Sequence, residues 1–208
     1  MSALFKSALA QAELLNRRQI SAVELMQDTL ARIKTINPQV NAIISLREEA
    51  DLLVQAAQAD KSSRTGWMHG LPIAIKDLHD VKDMPSSMGS AIFADYIAEK
   101  DDIAVARVRA AGAIIIGKTN TPEFGLGSHT YNPVHGTTYN PYDLSKSAGG
   151  SSGGAAAALS TRMLPLADGS DMMGSLRNPA AWNNVYGMRP TWGLVPSEPM
   201  DDLYLHKL

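Results

Sequence analysis

The chain has 208 residues, 45% apolar and 19% charged, with a net charge of −2 and no cysteine. Size and composition describe one sizeable soluble domain, and so small a net charge gives no electrostatic reason to bind nucleic acid or an acidic membrane. The missing cysteine excludes a disulfide framework, a cysteine-rich zinc site and a thiol nucleophile. Lys6 and Glu13 interrupt the apolar N-terminus, which makes a poor signal peptide. No apolar run approaches the roughly 20 residues that span a bilayer, so a cytoplasmic location without membrane contact is expected.

In chain order, Leu4, Ala8, Ala12 and Leu15 share one helical face over residues 4 to 16. Ser21 with Glu24 has the form of a capping box, and Val23, Met26, Leu30 and Ile33 follow at helical spacing until Pro38, where the helix is expected to end. Asn41 to Ser45 is a short strand candidate, and residues 47 to 60, rich in Glu, Ala, Leu and Gln, form a third helix. Residues 1 to 60 thus read as a helical scaffold.

Residues 70 to 195 read as the core of the same domain. Gly70-Leu-Pro-Ile-Ala-Ile-Lys-Asp77 is a short apolar strand of the kind buried on both faces. A helix near residues 102 to 111, a stop at Gly112 and the strand Ala113-Ile-Ile-Ile116 complete a strand, helix, strand unit. Residues 121 to 148, rich in Thr, Ser, Pro and Asn, read as a long functional loop. A helix begins at Ser152, Met163 to Ala167 is a strand candidate, and Asn178-Pro179 and Arg189-Pro190 punctuate the tail. The fold class is α/β, a mixed twisted sheet flanked by helices.

Gly112-Ala-Ile-Ile-Ile-Gly-Lys-Thr119 matches the nucleotide-binding pattern G-x-x-x-x-G-K-[ST] letter for letter. Its four intervening residues favour a buried strand over a loop wrapped on phosphates. A helix precedes it where a strand is required, and Pro122 interrupts the helix that should follow. The motif is rejected on context.

Three short pieces carry candidate chemistry. Gly149-Gly-Ser-Ser-Gly-Gly154 reads either as a flexible linker or, given the alanines after it, as a turn presenting backbone N–H groups at a helix N-terminus. Lys76 either reaches solvent by its stem or, if buried, loses its charge and becomes a base near neutral pH. Ser175, after Asp168-Gly-Ser-Asp-Met-Met-Gly174, is either a helix cap or a nucleophile. The five histidines include no i, i+4 pair and no H-E-x-x-H, so a metal hydrolase has little support, and they are expected at the surface or in loops. A Ser-His-Asp site stays open, because its members need not be close in sequence.

Taken together, Gly-Gly-Ser-Ser-Gly-Gly, Asp-x-x-Gly-Ser-x-Arg-x-Pro, the lysine strand and Gly117-Lys-Thr-Asn-Thr-Pro-Glu-Phe124 resemble the amidase signature family. The resemblance runs from the N-terminal helices to about Val195. It implies a Ser-cisSer-Lys triad: Ser175 as nucleophile, Ser151 as relay with a cis peptide bond from Gly150, and Lys76 as base. The backbone N–H groups of Met172, Met173, Gly174 and Ser175 would form the oxyanion hole, with Ser152, Asp171 and Arg177 in support. No cofactor and no metal are implied. The expected function is hydrolysis of a small-molecule amide through a serine acyl-enzyme. The alternatives are a glutamine amidotransferase subunit of the same family or an inactive remnant.

Met173 stands where many members carry glycine, which predicts a costly or reshaped turn, or methionines lining the acyl pocket. The chain extends 33 residues beyond Ser175, so it is expected to hold the N-terminal part of a longer family domain. An exposed sheet edge or helical face then leads to the expectation of self-association into a homo-oligomer.

Overall fold

The computed structural model describes residues 2 to 196. Three helices come first: α1 (Ala8–Asn16), α2 (Ala22–Val40) and α3 (Glu49–Lys61). The first amphipathic stretch is divided, because Ser7 caps Ala10 N–H and restarts the helix after a 3-10 turn at Ala3–Phe5. The capping box forms as expected, with the Ser21 and Glu24 side chains each accepting the other's backbone N–H.

Pro38 does not end α2. It sits inside the last turn, and the chain leaves the helix at Asn41, in the left-handed region at φ 50°. Asn37 shapes the segment beyond the helix. Its Oδ1 accepts the N–H groups of Ala42 and Ile43, each at 2.9 Å. These donors are lost to a ladder, and the expected strand at Asn41 to Ser45 is reduced to an isolated antiparallel bridge between Ile43 and Thr119.

β1 (Pro72–Lys76) and β2 (Ile114–Thr119) pair in parallel, linked through α4 (Ile103–Ala110), as the strand, helix, strand reading requires. Both strands are buried at every position. One face, with Leu71, Ala74, Ile114 and Ile116, packs into a core shared with α1 to α3, Ala157, Ala158 and Met163. The other, with Ile73, Ile75 and Ile115, packs on Val81, Met84 and Val105. A polar side chain at the end of β1 is therefore surrounded from both sides. Burial of the β2 residues also disposes of the phosphate-loop match, since Lys118 is fully buried and pairs with Asp77 at 3.1 Å.

The long loop contains two small antiparallel pairs, β3 (Tyr131–Asn132) with β4 (Gly136–Thr137) and β5 (Tyr139–Asn140) with β6 (Asp143–Ser147). Their turns use side chains as acceptors: Asn132 Oδ1 takes Val134 and His135 N–H, and Asn140 Oδ1 takes Tyr142 N–H. α5 (Gly153–Ser160) follows. The strand expected at Met163 to Ala167 is absent: Met163 N–H closes the end of α5 on Ala158 O at 3.0 Å, and Pro165 has no N–H to offer. Pro179 lies within α6 (Arg177–Trp182), in the first turn, where its missing donor has no helical partner to lose.

His69 lies in the turn between α3 and β1, in a loop as expected though not at the surface. It is buried, and its Nε2 lies 2.9 Å from Ala59 O, tying the end of α3 to the approach to β1. His206 lies outside the described residues. Among the described residues no helix is long and apolar enough to cross a membrane.

Candidate active site

The strand that is buried on both faces delivers Lys76 with 0% of its surface exposed. Its Nζ lies 2.7 Å from Ser151 Oγ and 2.9 Å from Ser170 Oγ, donating to both hydroxyls. Burial lowers the lysine to about 7, against the opposing pull of Asp168 and Asp171. Of the two readings open in the sequence, stem out to solvent or buried amine, the second is the one the fold adopts.

Ser151 reaches the lysine from the start of α5. The Gly150–Ser151 peptide bond is cis, as the resemblance implies. α5 can approach so closely because Gly154 carries no side chain: a Cβ there would lie 2.3 Å from Asn120 N and 2.7 Å from Ala42 O. The glycine-serine segment is thus a packed helix start and not a linker. Ser152 joins it to the next element. Its N–H donates to Ser175 O at 3.1 Å, and its Oγ exchanges hydrogen bonds with the backbone of Ser170, each at 3.3 Å.

Asp171 organises the turn that carries Ser175. Its carboxylate accepts the N–H groups of Gly174, Leu176 and Arg177 and pairs with the Arg177 guanidinium at 2.9 Å, while Arg189 Nε lies 3.5 Å away. Burial pushes this carboxyl up. The Arg177 contact and the three N–H donors outweigh it and hold the group well below the usual carboxylate range.

The Asp171 arrangement corrects one expectation. Gly174 N–H donates to Asp171 Oδ1 at 2.8 Å, so it is not free to serve an oxyanion in this arrangement. Among the described residues, no backbone or side-chain acceptor takes the N–H groups of Met172, Met173 and Ser175. The residue in this turn that needs positive φ is Gly174, at 121°. Met173 is not in the left-handed region and is 85% exposed, so its replacement of glycine strains nothing.

Hydrogen bonds therefore connect Lys76 to Ser151 and Ser152 to Ser175, and Ser175 is half-buried beside them. Among the hydrogen bonds of the described residues, none joins the Ser151 and Ser175 hydroxyls. Two participants escape a reading of the sequence alone. Ser170 is the lysine's second hydroxyl partner, and Asp168 Oδ1 accepts the Lys76 backbone N–H at 2.6 Å. Their only signal is membership of the same short turn as Ser175. An open groove of about 680 Å³ beside Asn16, Ser21 and Arg64 includes none of these residues.

A buried lysine hydrogen-bonded to a serine that follows a cis bond, beside a glycine-turn serine braced by an Asp–Arg pair, defines a serine and lysine site on an α/β scaffold. The Amidase family profile matches residues 24 to 206, and the chain belongs to that family. It is 46% identical over 184 residues to a glutamyl-tRNA(Gln) amidotransferase subunit of Coxiella burnetii (strain Dugway 5J108-111), covering 87% of this chain and 38% of that protein. To an indoleacetamide hydrolase of Bradyrhizobium diazoefficiens it is 42% identical over 194 residues, covering 92% and 37%. A bacterial aryl acylamidase of the amidase signature family superposes with a TM-score of 0.89 at 32% identity, covering 95% of this chain and 42% of that one. The chain thus spans about two fifths of the length of these relatives.

Proposed function

We propose that this chain carries the catalytic part of an amide hydrolase that works through a serine acyl-enzyme. The observation that carries the reading is the buried Lys76 amine, 2.7 Å from Ser151 Oγ and lowered to about 7. A neutral amine at that position accepts the Ser151 proton, Ser151 accepts the proton of Ser175, and Ser175 Oγ attacks the amide carbon. The developing oxyanion is met by the backbone N–H groups of Met172, Met173 and Ser175. Collapse of the tetrahedral intermediate breaks the C–N bond as Ser151 returns a proton to the leaving amine, and water then releases the acid from Ser175.

The test is hydrolysis of a panel of small carboxylic amides by the wild-type chain and by Ser175→Ala. Loss of activity by about 10⁴-fold or more is expected. Full activity in the variant would sink the reading. Labelling by a fluorophosphonate that disappears in Ser175→Ala checks the nucleophile in a chain too slow to assay, and an unlabelled wild-type chain would point to an inactive remnant.

The 46% identity to an amidotransferase subunit favours a second reading, in which the amide is that of glutamine and the ammonia passes to a partner. Glutaminase activity that appears only when a partner chain is added would select it.

A further inference from the structure

The side chains around Lys76 extend past its two serines into a chain of charged groups that the proposed chemistry does not use. Asp168 Oδ1 accepts the Lys76 backbone N–H at 2.6 Å, and Asp168 Oδ2 lies 3.8 Å from His79 Nε2. The other ring nitrogen, His79 Nδ1, is 3.3 Å from Asp102 Oδ2, which also accepts Asp80 N–H at 3.1 Å. Asp102 is the residue before α4, and His79 follows β1 by three positions. The sequence Asp102, His79, Asp168, Lys76 therefore ties the N-terminus of α4 and the turn of Ser170 to the end of the strand that holds the base.

We infer that Asp168 and His79 are positioning residues for Lys76: Asp168 holds the main chain of the base, and His79, held in turn by Asp102, faces that carboxylate. The inference rests on Lys76 acting as the base of the proposed reaction. Asp168 favours the ammonium form, as does Asp171. Burial pushes His79 down, but the bond to Asp102 and the charge of Asp168 outweigh it and raise the imidazole, while Lys76 opposes its protonation. From β2, Lys118 Nζ donates to the His79 carbonyl at 2.7 Å and favours the Asp102 carboxylate. The imidazolium and the lysine thus compete for the field of Asp168. A protonated His79 leaves more of Lys76 neutral.

The two side chains must therefore act on the base in opposite directions. Asp168→Asn retains an oxygen for the Lys76 N–H and loses the charge, so Lys76 should titrate lower by about one pH unit. His79→Gln removes the imidazolium, so Lys76 should titrate higher. The measurement is NMR titration of the Lys76 side chain in the full chain, with Lys76→Met to assign the signal. It needs no activity, so its outcome stands apart from the hydrolysis assay. Where the chain hydrolyses an amide, the acid limb of kcat/KM should move with the lysine in each variant. A site that merely loosens would let water in and raise Lys76 in both variants. A rise in Asp168→Asn, or no change in either variant, overturns the inference.

Discussion

Two lysines lie fully buried at neighbouring positions of two paired strands, Lys76 on β1 and Lys118 on β2, where Lys76 is in register with Thr119. Lys118 meets a carboxylate, Asp77 Oδ1 at 3.1 Å, together with His79 O at 2.7 Å and Ser86 Oγ at 2.9 Å. Among the described residues, Lys76 Nζ meets the hydroxyls of Ser151 and Ser170, with Asp168 and Asp171 acting on it as charges. The same residue type at the same burial is an ion-pair anchor in one strand and the proposed base in the other. The partners within hydrogen-bond reach decide which, because a direct carboxylate repays the loss of hydration that a hydroxyl leaves uncompensated.

The comparison breaks first on activity. Lys76→Met should reduce amide hydrolysis by about 10⁴-fold or more in a steady-state assay while the chain stays folded by circular dichroism. If Lys76→Met retains the wild-type rate, the lysine is no base. The next effect in size belongs to the other lysine: Lys118→Met leaves Asp77 buried without its cation and should cost about 3 to 5 kcal/mol in urea unfolding. A loss under about 1 kcal/mol would mean that the pair contributes little and that the two lysines differ less than their partners indicate.

A pH series sharpens the contrast. Lys76 sits near 7 in the folded chain and at its ordinary value of 10.5 when unfolded, so between these values the unfolded chain holds the extra proton. Folding stability from this group therefore rises with pH across that window, and its burial is most costly below about 7. Lys76→Met removes that slope. Its Tm should exceed that of the wild type by more at pH 6 than at pH 9, and a gap that is constant or grows with pH would contradict a lowered lysine. Activity should rise with pH through about 7 as the amine loses its proton.

The smallest effect is expected at Met173. Its side chain is 85% exposed and its φ is not positive, so Met173→Ala should change stability by no more than about 0.5 kcal/mol in thermal denaturation. A larger loss would show that this methionine packs against something the turn depends on.

Much of the scaffold was legible from spacing. The helices, the capping box at Ser21 and Glu24, and the strand, helix, strand unit from Pro72 to Thr119 all come from local periodicity and local hydrogen bonding. The two missed strands share a cause. The expected strand at Asn41 to Ser45 lost two donors to the Asn37 side chain, and Met163 N–H went to the end of α5. In each case a non-ladder partner took an N–H group that the residue pattern had assigned to a strand.

The candidate site divides along the same line. The motifs around Lys76, Ser151, Asp171 and Ser175 stand in the amino-acid order, because a strand that is apolar at alternate and intervening positions, a glycine turn and an Asp-to-Arg spacing are local facts. Which groups touch is not local. Only the packing of β1 against α5 and the turn of Ser170 decided that Lys76 meets two hydroxyls, that Asp171 takes the Gly174 N–H, and that Asp168 and His79 stand behind Lys76. Side chains distant in sequence meet through burial shared by separate elements, and the charge of a buried group follows from those meetings and not from its own residue type.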